Sequence, residues 1–149
     1  MRWILMMRHS TIEQELERHG RVLIQTVGVS MEPLLHNRKS TVVIERAPEK
    51  LRKYDVVLYK RPSGEYVLHR VVKFRQEEYL ICGDNGLERE PVSREMVIGI
   101  MIGFYPENDD LFISIGDEKY RKYVRNWEKC YIIRWMKALP GRIHRKLTR

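Results

Sequence analysis

The chain is poor in the residue types from which many sites are built. Its 149 residues include two cysteines, Cys82 and Cys130. Their spacing and isolation exclude a disulfide scaffold and a cysteine-based zinc site, and fit a reducing compartment. His9, His19, His36 and His144 are scattered without ligand spacing, so no metal or other cofactor is expected. No glycine-rich loop could cradle a phosphate, and no repeat or low-complexity tract occurs. No stretch approaches the roughly 20 consecutive apolar residues of a membrane-spanning helix. The opening MRWILMMR has an apolar run from Trp3 to Met7 only, shorter than the roughly 7–15 residues of a secretory signal. The expected location is cytoplasmic, peripheral on the inner face of the membrane.

What is present suits a globular protein. Hydrophobic residues make up 43% and charged residues 32%, which separates the chain from disordered ones. The length fits one domain, or one domain with an appendage. The formal charge of +8 is unevenly spread: residues 117–149 hold eleven Lys or Arg against three acids, and the remaining 116 residues balance at 17 against 17. The expected division is therefore a neutral body, 1–116, and a basic tail, 117–149. A basic pI carried by the tail is no argument that the body binds nucleic acid, which is not expected as a partner.

The body reads as mainly β. A short helix over Ile12–Arg18 has Ser10 or Thr11 as cap and Gly20 as stop. Strands are expected over Arg21–Val27, Thr41–Glu45, Tyr54–Lys60, Tyr66–Phe74, Tyr79–Cys82, Val97–Tyr105 and Leu111–Ile115. With hairpin turns between them, they predict an antiparallel coiled sheet or irregular barrel. From Asp117, the residues Tyr120, Tyr123, Val124, Trp127, Tyr131 and Trp135 recur at helical spacing with cations between them, and Pro140-Gly141 should stop that helix.

Three short segments carry candidate chemistry. Gly28-Val29-Ser30-Met31-Glu32-Pro33 follows a strand. Pro33 fixes its own φ and restricts Glu32, a turn that can hold the Ser30 hydroxyl at a sheet edge. His69 sits in Leu68-His69-Arg70-Val71, sharing a strand face with Val67 and Val71. Such a histidine is either a hydrogen-bonded core residue or a general base, since an ordinary imidazole titrates near neutrality. Gly83-Asp84-Asn85-Gly86 is turn chemistry, but a hairpin between the fourth and fifth strands brings it near His69. A carboxylate there could fix the imidazole tautomer.

Taken together, these segments resemble signal peptidase I, particularly its archaeal and endoplasmic-reticulum type. The resemblance runs from Gly28 to Gly103, about half of the chain. It covers Ser-Met-x-Pro at Ser30–Pro33, Asp-Val-Val at Asp55–Val57, His-Arg-Val at His69–Val71, Gly-Asp-Asn at Gly83–Asn85 and Val-Ile-Gly at Val97–Gly99. It implies a mostly β, coiled-barrel serine peptidase of the clan that includes the self-cleaving SOS-response repressors. Bacterial-type members use a lysine base. Here the corresponding box carries His69, so the resemblance implies Ser30 as nucleophile, His69 as base and Asp84 as orienting acid. Glu90 is the alternative acid, and Gly28, Met31 and Pro33 are expected to meet substrate. The family also implies pockets for small residues, such as Ala, before the cut. Short members of the clan imply a peptide-maturation role.

Two features depart from the family. No N-terminal membrane helix is seen. Gly28 stands where some members carry a serine hydroxyl that stabilises the oxyanion, which leaves that task to backbone amides. The leading expectation is a serine endopeptidase acting on a peptide or precursor protein. The alternative is a catalytically weakened peptide-binding module of the same fold. A repressor-like regulator would need a DNA-binding domain, for which the residues before Ser30 are too few. For 117–149 the expected partner is either the chain's own sheet, through the aromatic stripe, or an anionic membrane surface.

Overall fold

The computed structural model describes residues 10–108 and 110–147, with side chains through Pro140. The apolar run Trp3–Met7 and His9 lie outside the described residues, as does the side chain of His144.

Helix α1, Ile12–His19, starts on a capping box. Thr11 Oγ1 accepts the Gln14 amide at 3.2 Å, and Gln14 Oε1 accepts the Thr11 amide at 3.0 Å, which satisfies two donors of the first turn. Gly20 ends the helix in the left-handed region at φ 71°, its N–H bonded to Leu16 O, a conformation that costs glycine little. Ile12 and Leu16, one turn apart, are the buried face.

Among the described residues eight strands follow: β1 Arg21–Gln25, β2 Thr41–Arg46, β3 Val56–Lys60, β4 Tyr66–Phe74, β5 Glu78–Cys82, β6 Glu90–Ser93, β7 Val97–Tyr105 and β8 Ile113–Ser114. All pairings are antiparallel, in the order β1-β2-β7-β3-β4-β5-β6, with β8 on β7. Strand β6 escapes a sequence reading because EPVS has neither alternation nor a β-branched run. Its Pro91 is tolerated because β6 is a sheet edge. Although β2, β7 and β3 separate β1 from β4 in the sheet, residues of β1 and β4 line one cavity. The sheet is therefore strongly curled.

Alternation divides the interior into separate layers. Val42, Ile44, Val56, Leu58, Met101 and Phe104 pack with α1 and with Met31, Leu34 and Leu35. Val57, Tyr59, Val71, Tyr79, Ile81 and Val92 form a second cluster.

Helix α2, Glu118–Leu147, covers a third, made of Val72, Leu80, Cys82, Trp127 and Tyr131. The helix does not stop at Pro140-Gly141: Pro140 lies inside it. A proline forgoes its own i−4 hydrogen bond, and here the loss does not end the helix. The inner face of α2 is the aromatic stripe, with Tyr120, Trp127 and Tyr131 buried, so this part of the basic tail packs directly on the body. Among the described residues no helix is long and apolar enough to cross a membrane.

Candidate active site

Ser30 stands at the head of the turn after β1. Gly28 enters it at φ 97°, a left-handed conformation that a side chain would strain, and its N–H donates to Asn37 Oδ1 at 2.8 Å. Met31, Leu34 and Leu35 are buried and pin the turn to the first core. Ser30 itself is exposed. Among the described residues its N–H has no acceptor, so this amide is free to meet an oxyanion.

His69 reaches the serine from the middle of β4, where it pairs with Val57 of β3. Its Nε2 lies 2.9 Å from Ser30 Oγ. Burial pushes the imidazole below its ordinary pKa. The Glu90 charge works against that shift and the Arg61 charge works with it. The neutral ring, able to accept a proton, is thus the form present near neutrality.

Gly83 closes the site from a third side. A Cβ there would stand 2.6 Å from Ser30 O and 3.2 Å from His69 Nε2, so the backbone can pass only as glycine. Asn85 ties this loop to the Ser30 turn. Asn85 N donates to Ser30 O at 2.9 Å, and Asn85 Nδ2 to Val29 O at 3.1 Å.

Asp84 does not touch the imidazole. It is 1% exposed and forked by Arg70, with Nε to Oδ1 and Nη2 to Oδ2 each at 2.7 Å. Tyr123 Oη donates to Oδ2 at 2.9 Å. The reason is strand parity: His69 and Arg70 are neighbours on β4 and point to opposite faces. Arg70, fully buried, keeps the Asp84 carboxylate on the α2 side. An Asp at the tip of the adjacent hairpin looks from sequence like the nearest acid, but the arginine beside the histidine claims it.

Glu90, at the start of β6, lies on the His69 side. His69 Nδ1 faces Tyr59 Oη at 3.4 Å, and that phenol donates to Glu90 Oε2 at 2.5 Å. Arg61 forks the same carboxylate, Nε to Oε1 and Nη2 to Oε2, both at 2.8 Å. These bonds, Arg61's first, hold the Glu90 carboxyl below its usual range. Burial and the neighbouring carboxylate raise the Tyr59 phenol, so it remains a donor. With its proton turned to Glu90, the Tyr59 oxygen can accept from Nδ1–H. That tautomer leaves Nε2 as the acceptor facing Ser30. Tyr59 and Arg61 were invisible as site residues in the sequence. Tyr59 shares with Val57 the face of β3 that pairs with the His69 strand, and that period-2 spacing is the signal that could have found it, whereas Arg61, just past the end of β3, gave no such signal.

Beside the pair lies a cavity of about 540 Å³. Ile24, Met31, Leu35, Val42, Leu58 and Leu68 make it apolar, and Arg61 and Glu65 are its charged lining. Gly28 and Met31 line it too, whereas Pro33 is exposed and outside the lining. Gln25–Gly28 form one wall, continuous with the edge of β1, which has no partner strand among the described residues. Among the described residues no group of three or more His, Cys, Asp or Glu is placed to hold a metal ion. Compared with family models, curated proteins and solved structures, the chain finds no match.

Proposed function

We propose that the chain is a serine endopeptidase of the signal-peptidase type, hydrolysing a peptide bond in a peptide or precursor protein, with peptide maturation as its role. The observation that carries this reading is the 2.9 Å approach of Ser30 Oγ to His69 Nε2 beside an apolar cavity and a β1 edge that has no partner strand among the described residues. A peptide lying along the β1 edge would gain main-chain pairing, with one or more apolar side chains in the cavity. As Ser30 Oγ bonds to the scissile carbonyl carbon, its proton passes to His69 Nε2. The Ser30 amide stabilises the oxyanion, and His69 then gives the proton to the leaving amine. Water attacks the acyl-enzyme by the same route, releasing the acid and restoring Ser30.

In this reading the acid behind the base is Glu90 acting through Tyr59, not Asp84. The Nδ1–H to Tyr59 to Glu90 order supports the imidazolium as it forms. The test is labelling of Ser30 by a fluorophosphonate together with cleavage of a peptide library read by mass spectrometry. Wild type should label and cut, and both Ser30→Ala and His69→Ala should do neither while remaining folded. Binding of peptides to the wild type without labelling or cutting would favour the peptide-binding module instead. The specific observation behind that alternative is that, among the described residues, His69 bonds Ser30 and Tyr59 and no carboxylate directly.

We also propose that the outer face of α2 rests on an anionic bilayer surface. Ile132, Ile133 and Met136 remain 45%, 48% and 54% exposed there. The exposed cations Lys122, Arg125, Lys129 and Lys137 accompany them, a combination suited to an interfacial helix. Co-sedimentation with phosphatidylserine vesicles should be lost at high salt and in Ile132→Ser/Ile133→Ser/Lys129→Glu. Equal sedimentation of wild type and variant would remove the proposal.

A further inference from the structure

The inner face of α2 does more than cover apolar surface: its polar ends converge on one loop. Trp127 Nε1 donates to Asp84 O at 3.1 Å, and Tyr123 Oη donates to Asp84 Oδ2. At the loop's other end Arg89 Nε donates to Tyr131 Oη at 2.8 Å. The rings and cations are interleaved. Arg70 lies 5.0 Å from the Trp127 centroid, Trp127 stacks on Tyr131 at 4.8 Å, and Arg89 lies 5.7 Å from Tyr131 and 4.8 Å from Trp135. Such contacts add directional attraction to area burial.

Beside and between those two anchors the chain carries the parts that define the site. Asn85 holds the carbonyls of Ser30 and Val29. Gly83 presses on Ser30 with no room for an added methyl. Glu90 follows Arg89 directly. A shift of the loop would therefore move the nucleophile turn and the acid together.

We infer that α2 is a positioning clamp for the Ser30–His69 pair, acting through residues 83–90, with Trp127, Tyr123 and Arg89 as its positioning residues. The inference rests on the peptidase reading for its kinetic consequence, but its geometric content does not. None of the three lines the cavity, so they govern the alignment of the reacting atoms rather than peptide affinity. A misplacement of about 1 Å can cost on the order of 100-fold in rate.

The experiment uses full-length Trp127→Phe, Tyr123→Phe and Arg89→Gln. Val124→Ala serves as a control that thins the packing of α2 on the first core, away from the loop. Three quantities are read: the rate of Ser30 acylation by a fluorophosphonate, the kcat and KM for a cleaved peptide, and amide hydrogen exchange at Asn85. Trp127→Phe and Arg89→Gln should slow acylation and lower kcat by roughly 5- to 50-fold, with KM unchanged within about twofold. They should also speed exchange at Asn85 while β2 stays protected. Val124→Ala, even with an equal loss of Tm, should leave the rate and Asn85 exchange near wild type. Acylation rates that follow Tm on one line for all four variants, or Asn85 exchange that stays at wild type in the clamp variants, overturn the inference. A wild type whose Ser30 never reacts defeats the peptidase reading alone, and Asn85 exchange then still decides the clamp.

Discussion

Asp84 lies just after β5 and Glu90 opens β6, and each is forked by an arginine, yet their surroundings are opposite. Asp84 is fully buried behind β4 with Arg70, Tyr123 and the α2 stripe. Glu90 is only partly covered and faces the histidine through Tyr59. What separates them is the face of the sheet from which the arginine comes. Arg70 follows His69 on β4 and must point away from it, whereas Arg61, in the turn just after β3, meets the same carboxylate as Tyr59 on the His69 side. One carboxylate is thereby a structural brace, and the other faces, through Tyr59, the imidazole that meets Ser30.

The largest expected effect breaks the brace. Asp84→Ala leaves Arg70 charged, fully buried and short of its partner, a change that typically costs about 3–5 kcal/mol. Denaturant unfolding should show most of the protein's stability lost, with any loss of Ser30 labelling following the unfolded fraction. A variant as stable as wild type but unreactive at Ser30 would mean that Asp84 serves the base, and the contrast would be void.

Glu90→Gln should do the reverse. The carboxylate is partly solvated, so losing its ion pair with Arg61 should cost no more than about 1 kcal/mol. The kcat should fall on the order of 100-fold, within the usual span for disabling acid–base support. Unfolding and peptide turnover measured on the same preparation separate the two acids. Tyr59→Phe should cost less, about tenfold, because it removes the bridge but keeps the ring in the second core. If Glu90 acts through Tyr59, the double variant should be little worse than Glu90→Gln alone, a coupling that a double-mutant cycle reads directly. Additive losses would show two independent roles.

Much of this arrangement was legible in the sequence, for identifiable reasons. Alternation and β-branched runs gave the bounds of β4 and β7, and Thr11 and Gly20 carried the limits of α1 in their capping chemistry to within a residue. The proximity of Ser30, His69 and Gly83 followed from the resemblance and from the β4–β5 hairpin. The roles of the two acids were not legible, because they depend on which side of the sheet an arginine three-dimensionally claims. Edge strand β6 was hidden by Pro91, and the continuation of α2 through Pro140 by the strength of proline as a stop signal. The packing of the basic tail on the sheet was one of two readings its sequence left open, since the aromatic stripe that docks and the cations that dominate its composition both recur at helical spacing.

The smallest effect is the most discriminating, since it asks which charge the imidazole feels. Only neutral His69 can take the Ser30 proton, so kcat/KM should be present above the imidazole pKa and lost as pH falls through it. Burial holds that pKa below the ordinary histidine value, and the acid limb should lie correspondingly low. Glu90 opposes the shift and Arg61 adds to it. Glu90→Gln should therefore move the limb to still lower pH, and Arg61→Gln should move it higher, although both break the same ion pair. Acid unfolding pulls in the same direction as the limb: a histidine with a depressed folded pKa lowers stability as pH falls below its unfolded value. Rates must thus be taken at pH values from which activity returns in full on neutralisation. If the two substitutions shift the limb the same way, a common loosening of the site is at work, and the imidazole is not reading the Glu90–Arg61 pair.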